Sequence, residues 1–379
     1  MHKDIPVAEI NMIGNMIHSV SEIINTKHMP IGTKTEYPAL SSRLLSSWNE
    51  MRSIPRERQN IEQIERALGC TISEAKIKSM SVSLTDCYWL ADEINRLSWN
   101  DVNYHTNGFS SDLADLIWNK NMKVINYNLP DLTTDGALKK VWASLDGIPT
   151  LIKFGDLGTN SNGRNLLSAN EVVASKVAEL MNIEHVLYAP IKLESRNEIA
   201  CACDCFIKDI NHEFVNALQL LKDNKNIGGV SLYNLFKNMG MKEEVDRMII
   251  FDHILHNTDR HEKNFGIIRE ADSLQVIKFA PIFDSGSCLG WNRGNDNIDM
   301  NDMKPFSTNR KNQLNMAYIK SCSIPEKEMV KQIVQEAYEQ FKINESCYEL
   351  ACEELDYSYG MLPDVQKIWP VHNIEDCER

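Results

Sequence analysis

Two short polar motifs constrain this chain more than any other feature of its sequence. The first, HNTDRHEKNFG at residues 256–266, places Asn264 five positions after Asp259. The second places Asp284 twenty positions after Asn264, directly behind the apolar run APIF. An Asp, an Asn five positions later and a further Asp downstream follow the spacing used for phosphoryl transfer. The alternative is a loop in which these side chains only cap turns.

The chemistry of phosphoryl transfer gives each of these side chains a task. One carboxylate accepts the proton of the attacking hydroxyl, an Asn amide oxygen holds a metal ion, and a second carboxylate bridges metal ions to the β- and γ-phosphates. The order along the chain therefore predicts Asp259 as the catalytic base and Asn264 and Asp284 as metal ligands. The expected cofactors are ATP and Mg²⁺.

The residues around both motifs extend the match. NTDRHEKNFG at 257–266 and APIFDSGS at 280–287 resemble the catalytic and metal-binding segments of the HipA-like serine/threonine kinase family. The resemblance implies an α+β, two-lobed, protein-kinase-like fold, here with a small N-terminal accessory segment. It also implies that His261 belongs to the catalytic loop. Lys263 either neutralises γ-phosphate charge or is a solvated lysine.

The length and charge of the chain limit its organisation and partners. Single cores stop growing at about 250–300 residues, so the 379 residues predict more than one unit: an accessory segment 1–75, an N-lobe 76–207 and a helical C-lobe 208–379. The net charge of −13 argues against direct nucleic-acid binding. With no signal-like start and no run of about 18 apolar residues, we expect a cytoplasmic protein without membrane contact.

A hairpin that carries a lysine on its second strand is predicted in the N-lobe. Residues 141–145 and 150–153 read as strands, and Asp146 with Gly147 supplies the turn between them. Kinases cover the ATP phosphates with such a hairpin loop and reach the phosphates with a lysine from the next strand. Lys153 is therefore the candidate nucleotide lysine.

The loop in front of the hairpin contains a single glycine, Gly136, and is no G-x-G-x-x-G motif. It resembles the equivalent HipA-like loop, in which one glycine is followed by small and charged residues. On that resemblance Gly136, Ala137 and Lys140 face the phosphates. HipA-like kinases can also phosphorylate a hydroxyl in their own loop, which makes Thr133 and Thr134 candidates for self-modification.

A helix and a strand complete the predicted nucleotide site. A helix opens near Ser168, and Glu171 is the candidate partner of the nucleotide lysine. The same pair also fits a capping box, in which Glu171 would only satisfy the helix start. After the strand at 198–206, kinase order predicts the hinge, where the backbone of Asp204 and Phe206 meets the adenine edge.

Histidines and cysteines invite metal-site interpretations. Cys201, Cys203 and Cys205 alternate along a predicted strand, but no C-x-x-C pair accompanies them, and small buried hydrophobes are the favoured interpretation. His253 and His256 near the catalytic motif fit no zinc spacing such as H-E-x-x-H.

Three functional classes therefore remain. The favoured one is a serine/threonine protein kinase with a protein substrate, and a small-molecule kinase with a hydroxyl substrate is an alternative. The other is a nucleotide-binding, pseudokinase-type interaction module, although such a module has no need for both metal ligands and the base. HipA belongs to toxin–antitoxin pairs with a DNA-binding partner, yet no residue of this chain indicates an antitoxin contact.

Overall fold

The computed structural model describes residues 1–35, 37–92, 94–119, 126–155, 165–193, 198–223, 231–293, 298, 304–306, 308–317 and 322–362. Its strands are β1 Ala8–Ile13, β2 Met16–Ile23, β3 Lys140–Leu145, β4 Ile148–Lys153, β5 Ala189–Leu193, β6 Glu198–Asp204, β7 His212–Asn216, β8 Gly266–Glu270 and β9 Val276–Phe279. Its helices are α1 Pro38–Met51, α2 Ile61–Leu68, α3 Ile72–Lys78, α4 Trp99–Val102, α5 Tyr104–Asn107, α6 Asp112–Asn119, α7 Leu166–Leu180, α8 Ala217–Asp223, α9 Leu232–Asn238, α10 Lys242–Ile254, α11 Arg310–Met316, α12 Lys327–Phe341 and α13 Glu345–Met361.

The N-terminal segment contains a β-hairpin and three helices. Strands β1 and β2 pair antiparallel, and β2 packs on α1 around a small cluster that includes Val20, Leu45 and Trp48. Helix α2 ends at Gly69, whose φ of +67° is the left-handed conformation that terminates helices. Helix α3 then begins at a capping box, so the direction of the chain is set by local signals.

The predicted hairpin is confirmed and forms half of a four-stranded antiparallel sheet in the order β3-β4-β6-β5. Asp146 and Gly147 both have positive φ at the β3–β4 turn, the backbone conformation that matches strand twist in two-residue hairpins. The register pairs Lys140 with Lys153. Residues directly opposite in an antiparallel pair share a face, so both lysines emerge on the same side of the sheet.

The two faces of this sheet pack on different partners. One face contributes Val141, Ile152 and Ala200 to a core with α2, α3 and α6. The other face contributes Cys201 and Cys203 to a larger core with α7. Helices α2 and α3 are therefore built into the core of the sheet, although the boundary expected at residue 75 stays a prediction.

The second lobe combines a small sheet with helices. Strands β7, β8 and β9 pair antiparallel in that order, and α9 to α13 share the large core with α7. Helix α7 also contacts α12 directly, and Tyr338 Oη donates to Asn170 Oδ1 at 2.8 Å. This helix therefore links the two lobes, and its first turns contact both the N-lobe sheet and the second polar motif.

None of the helices within the described ranges is long and apolar enough to cross a membrane.

Candidate active site

The first polar motif lies in the loop between α10 and β8, where hydrogen bonds fold the backbone tightly. Asp259 O accepts from His261 N at 2.8 Å, and His261 O accepts from Asn264 N at 2.9 Å. His256, at the start of the loop, has a φ of +50°. These turns bring Asp259 and Asn264 to one side of the loop, where Asn264 Nδ2 donates to Asp259 O at 3.3 Å.

Arg260, between these two residues, anchors the loop from within. Its side chain is fully buried and binds Asp252 of α10 through Nε and Nη2, both at 3.0 Å. Nη1 also donates to Asn264 O at 3.1 Å and to Phe283 O at 2.5 Å, and Nη2 donates to Ser285 Oγ at 2.7 Å. One guanidinium therefore ties the segment carrying Asn264 to the segment carrying Asp284.

A second contact with Asp252 fixes the position of the candidate base. Asn257 Nδ2 donates to Asp252 Oδ1 at 2.8 Å, and Asn257 Oδ1 accepts from Asp259 N at 3.0 Å. The backbone of Asp259 is thus held by the buried network, whereas 43% of its side chain is exposed. A carboxylate placed in this way is open to an incoming hydroxyl group.

Lys153 joins the N-lobe to the second motif. Its Nζ lies 2.5 Å from Glu171 Oε1 on α7 and 2.5 Å from Asp284 Oδ1. Glu171 Oε2 accepts from Ser285 N at 2.9 Å, so this carboxylate also holds the backbone next to Asp284. Lys153 and Glu171 are buried, but 32% of the Asp284 side chain is exposed.

Lys153, Glu171 and Asp284 form a cluster in which each charge affects the pKa of its neighbours. Burial opposes the charged form of Lys153, but Asp284 and Glu171 raise its pKa well above the ordinary value. Burial also opposes ionisation of Asp284, but Lys153, Lys140 and His261 hold its pKa well below the usual range. Asp284 is therefore a carboxylate at neutral pH, the form that a metal ligand requires.

The loop in front of β3 encloses a second lysine. Gly136 has a φ of +103°, and a Cβ there would lie 2.1 Å from Lys140 Nζ, so the loop passes directly over this ammonium group. Burial lowers the pKa of Lys140 to about 8, and nearby Arg58 and Lys153 act in the same direction against the effect of Asp284. Lys140 forms no ion pair with any residue that the structure describes.

With this geometry established, comparison with known proteins assigns a family. The sequence profile described as the HipA-like C-terminal domain matches residues 132–344, more than half of the chain. The chain belongs to the HipA-like family. It is a kinase-like protein, and the matched range contains both polar motifs, the hairpin and α7.

The solved structure of a HipA protein has the same fold. HipA of Shewanella oneidensis MR-1, from a toxin–antitoxin complex with HipB and operator DNA, aligns over 95% of this chain and 95% of its own chain, with 11% identity and a TM-score of 0.50. CtkA, a proinflammatory kinase of Helicobacter pylori, aligns over 62% of this chain and 94% of its own, with 18% identity and a TM-score of 0.46. No curated protein matches the sequence. The likeness to HipA confirms the predicted α+β, kinase-like fold.

Two predicted residues of this HipA-like chain lie where β6 leads into the C-lobe. The Asp204 carboxylate lies 3.5 Å from Lys208 Nζ and accepts from Thr150 Oγ1 at 3.4 Å. The Phe206 ring stacks on the Phe283 ring at 5.2 Å, directly before Asp284. The segment predicted as the hinge thus contacts the segment that carries Asp284, and its contact with adenine stays a prediction.

Two lysines place charge near the loop that carries Asp259. Lys263 Nζ lies 2.6 Å from Asp135 Oδ2, so this loop contacts the loop in front of β3. Lys304 Nζ lies 2.9 Å from Asp259 Oδ1. His261, the third predicted catalytic residue, accepts from Lys263 N through Nδ1 at 3.3 Å. Lys263 therefore pairs with a carboxylate while 36% of its side chain is exposed, and its contact with the γ-phosphate stays a prediction.

One alternative from the sequence is wrong. The capping box at Ser168 is absent, because α7 begins at Leu166 and its N-cap is Asn165 in the left-handed conformation. Ser168 lies inside the first turn, and its Oγ donates to Lys153 O at 3.1 Å. Glu171 instead contacts the lysine, as described above. The tertiary ion pair, not the local pattern, determines its position.

The residues considered for other metal sites have ordinary surroundings. Cys201, Cys203 and Cys205 are buried among apolar side chains, and burial raises the pKa of Cys203 and of Cys205 to about 12. Burial lowers the pKa of His253 to about 3, and its Nε2 lies 2.8 Å from Ser358 O. Within the described ranges, no group of three His, Cys, Asp or Glu side chains could hold a metal ion.

Sequence reasoning missed three residues that organise the site. Arg260 stands inside the catalytic motif, so its position next to Asp259 was an available signal. Arg58 binds the loop in front of β3 from 76 positions away, and Lys304 binds Asp259 from 45 positions away. No local pattern indicates contacts over such distances along the chain.

The side chains present fit a magnesium ion bound together with phosphates. Mg²⁺ is usually held by one or two carboxylates plus substrate phosphates, and Asp284 supplies an ionised, partly exposed carboxylate. Asn264 uses its amide nitrogen for Asp259 O, so its amide oxygen is the atom available for a metal. Lys140 adds a buried cation on the N-lobe side.

Proposed function

We propose that this chain is an ATP- and Mg²⁺-dependent phosphotransferase of the serine/threonine protein kinase type. The observation that carries this proposal is the position of Asp284. It is bound to Lys153 of the N-lobe, and Arg260 joins its neighbour Phe283 to the loop of Asp259 and Asn264. The segments that carry a candidate base, two candidate metal ligands and a candidate phosphate-binding lysine are therefore joined by direct contacts, which supports a single reaction site.

The N-lobe side of the cleft would bind the phosphates. Lys153 and Lys140 share one face of the sheet and present two ammonium groups, while Gly136 lets the loop pass close to Lys140. Bound Mg²⁺ would offset phosphate charge between Asp284 and Asn264, the role that such ions have in kinases. Glu171 keeps Lys153 and the backbone of Ser285 in place.

The C-lobe side would activate the acceptor. As the serine or threonine oxygen bonds to the γ-phosphorus, its proton passes to the Asp259 carboxylate, the bond from γ-phosphorus to the β–γ bridging oxygen breaks, and ADP leaves. The half-exposed carboxylate of Asp259 suits this task, since its backbone is fixed by Asn257 and its side chain stays accessible beside the exposed Lys304, which pairs with Oδ1.

The test is phosphate transfer from γ-labelled ATP with Mg²⁺, alone and with cell lysate, for wild type and Asp259→Asn. The Asn side chain keeps the shape of Asp259 but cannot accept the proton, so transfer should fall by about two to four orders of magnitude. Labelled proteins support a protein kinase, whereas labelled small molecules support the alternative substrate class. Nucleotide binding without transfer in wild type supports the interaction module, and transfer by Asp259→Asn at the wild-type rate excludes Asp259 as the base.

We also propose that the nucleotide loop is a self-modification site. The candidate hydroxyls are turned toward the N-lobe: Thr133 Oγ1 donates to Val82 O at 3.1 Å, and Thr134 Oγ1 accepts from Trp142 Nε1 at 2.8 Å. A phosphate adds about −1.5 to −2 charges, so modification requires the loop to leave this position. Mass spectrometry after incubation with ATP tests this, and an unmodified loop peptide from an active enzyme excludes it.

A further inference from the structure

The nucleotide loop at residues 134–139 is held from outside by the N-terminal segment. Arg58 Nη2 donates to Thr134 O at 2.7 Å and to Asp135 O at 3.1 Å. The next residue continues the contact, since Gln59 N donates to Ala137 O at 3.1 Å. Gln59 Oε1 also accepts from Lys139 N at 3.4 Å. Two consecutive residues therefore bind four positions of the loop.

These bonds decide which backbone groups the loop can offer to a ligand. A loop that binds phosphate must present N–H groups, because carbonyl oxygens repel the anion. The carbonyl oxygens of Thr134, Asp135 and Ala137 all accept hydrogen bonds from Arg58 or Gln59. They consequently face the N-terminal segment and are kept out of the phosphate position.

The surroundings of Arg58 show that this contact is built into the interior. Only 2% of Arg58 is exposed, and its Nε and Nη1 lack hydrogen-bond partners among the described residues. Burial lowers its pKa to about 10, opposed by Asp131 and Asp135. A buried guanidinium with three of its five N–H donors unused among the described residues is costly, and the contact that it does make is with the loop backbone.

We propose that Arg58 and Gln59 are positioning residues for nucleotide binding, so that docking of the N-terminal segment and ATP affinity are coupled. This inference rests on the proposed function, because it needs the loop to bind ATP phosphates. Coupling between two binding events is reciprocal. If the docked segment favours ATP, then ATP must in turn favour the docked segment.

The first test compares Arg58→Met and Arg58→Lys with Arg52→Met in the full chain. Arg52 belongs to the same segment but binds Asp86 and Tyr88 O, away from the loop. Calorimetry with a non-hydrolysable ATP analogue and Mg²⁺ should show at least about tenfold weaker binding for Arg58→Met, partial rescue by Arg58→Lys, and wild-type affinity for Arg52→Met. In turnover assays the KM for ATP should rise more than kcat falls.

The second test uses wild type only, so it does not depend on a variant that folds. Hydrogen exchange at the amide of Gln59, which donates to Ala137 O, should slow when the analogue and Mg²⁺ bind. Unchanged exchange at Gln59 with protection of the loop overturns the coupling, as does wild-type affinity in folded Arg58→Met. Absence of analogue binding to wild type would instead refute the proposed function itself.

Discussion

Arg260 on the C-lobe side of the cleft and Lys140 on the N-lobe side are both buried cations, but their surroundings differ. Arg260 is paired with Asp252 and also donates to two carbonyl oxygens and a hydroxyl group. Lys140 forms no ion pair with described residues, and burial lowers its pKa to about 8. On the C-lobe side, the charge of Arg260 is balanced by Asp252 without any ligand. On the N-lobe side, the charge of Lys140 would be neutralised by a bound anion.

This difference separates structural charges from ligand-binding charges. A buried ion that is fully hydrogen-bonded fixes the surrounding backbone, and removing one partner is strongly destabilising. A buried cation without a partner disfavours the ligand-free state and gains stability when an anion arrives. We therefore expect the loss of Arg260 to lower the stability of the protein and the loss of Lys140 to lower its affinity for nucleotide.

The largest effect is expected for Arg260→Met. The substitution leaves Asp252 as a buried carboxylate without its cation, so the free energy of unfolding should fall by about 3–5 kcal/mol in urea titrations. Arg247→Met is the control, because Arg247 pairs with Glu243 on an exposed face of α10 and should change stability by less than about 1 kcal/mol. Equal decreases in the free energy of unfolding of the two variants would contradict the proposal that Arg260 anchors the loop.

Lys140→Met should weaken nucleotide binding without lowering stability. Replacing an unpaired buried cation with an apolar side chain should not lower the stability of the ligand-free protein, but affinity for the Mg²⁺-bound ATP analogue should fall about tenfold or more. Lys76→Met is the control, because Lys76 is also a buried lysine whose pKa burial lowers to about 8, but its Nζ donates to Asn49 O of α1 and not to the loop in front of β3. If Lys140→Met lost stability but kept its affinity for the ATP analogue, Lys140 would be a structural charge like Arg260.

The pH dependence of stability tests whether the buried charge of Lys140 destabilises the ligand-free protein. The pKa of Lys140 is about 8 in the folded protein against an ordinary value of 10.5, so the unfolded chain binds more protons between these values. The destabilisation by Lys140 is therefore complete below about pH 8 and disappears toward pH 10.5. Ligand-free Lys140→Met should be more stable than wild type at pH 7, and urea titrations should show this gap closing as the pH rises. A stability difference between Lys140→Met and wild type that does not change with pH would contradict the lowered pKa of Lys140.

The smallest effect is expected for Lys304→Met. Lys304 and Asp259 are both about half exposed, with 48% and 43% of their side chains accessible, and exposed pairs contribute at most about 1 kcal/mol. Phosphate transfer should therefore change by less than about fivefold. A loss as large as that of Asp259→Asn would instead place Lys304 in the reaction.

The sequence predicted the parts of the site that depend on local spacing. The turn at Asp146 and Gly147 and the strand pair around it are confirmed, because turn chemistry and alternation act over a few residues. The capping pattern at Ser168 failed, since the lysine of a neighbouring strand determined the position of Glu171. The contact between Arg58 and the nucleotide loop could not be predicted, because it depends on packing α2 against the sheet.

The central claim is that Asp284 holds the metal–nucleotide complex while Asp259 acts only on the acceptor. Calorimetric titration of wild type, Asp259→Asn and Asp284→Asn with Mg²⁺ and a non-hydrolysable ATP analogue tests it most directly. We predict wild-type affinity for Asp259→Asn and at least about tenfold weaker binding for Asp284→Asn, which loses a charged ligand. Equal losses of affinity in the two variants would contradict the claim.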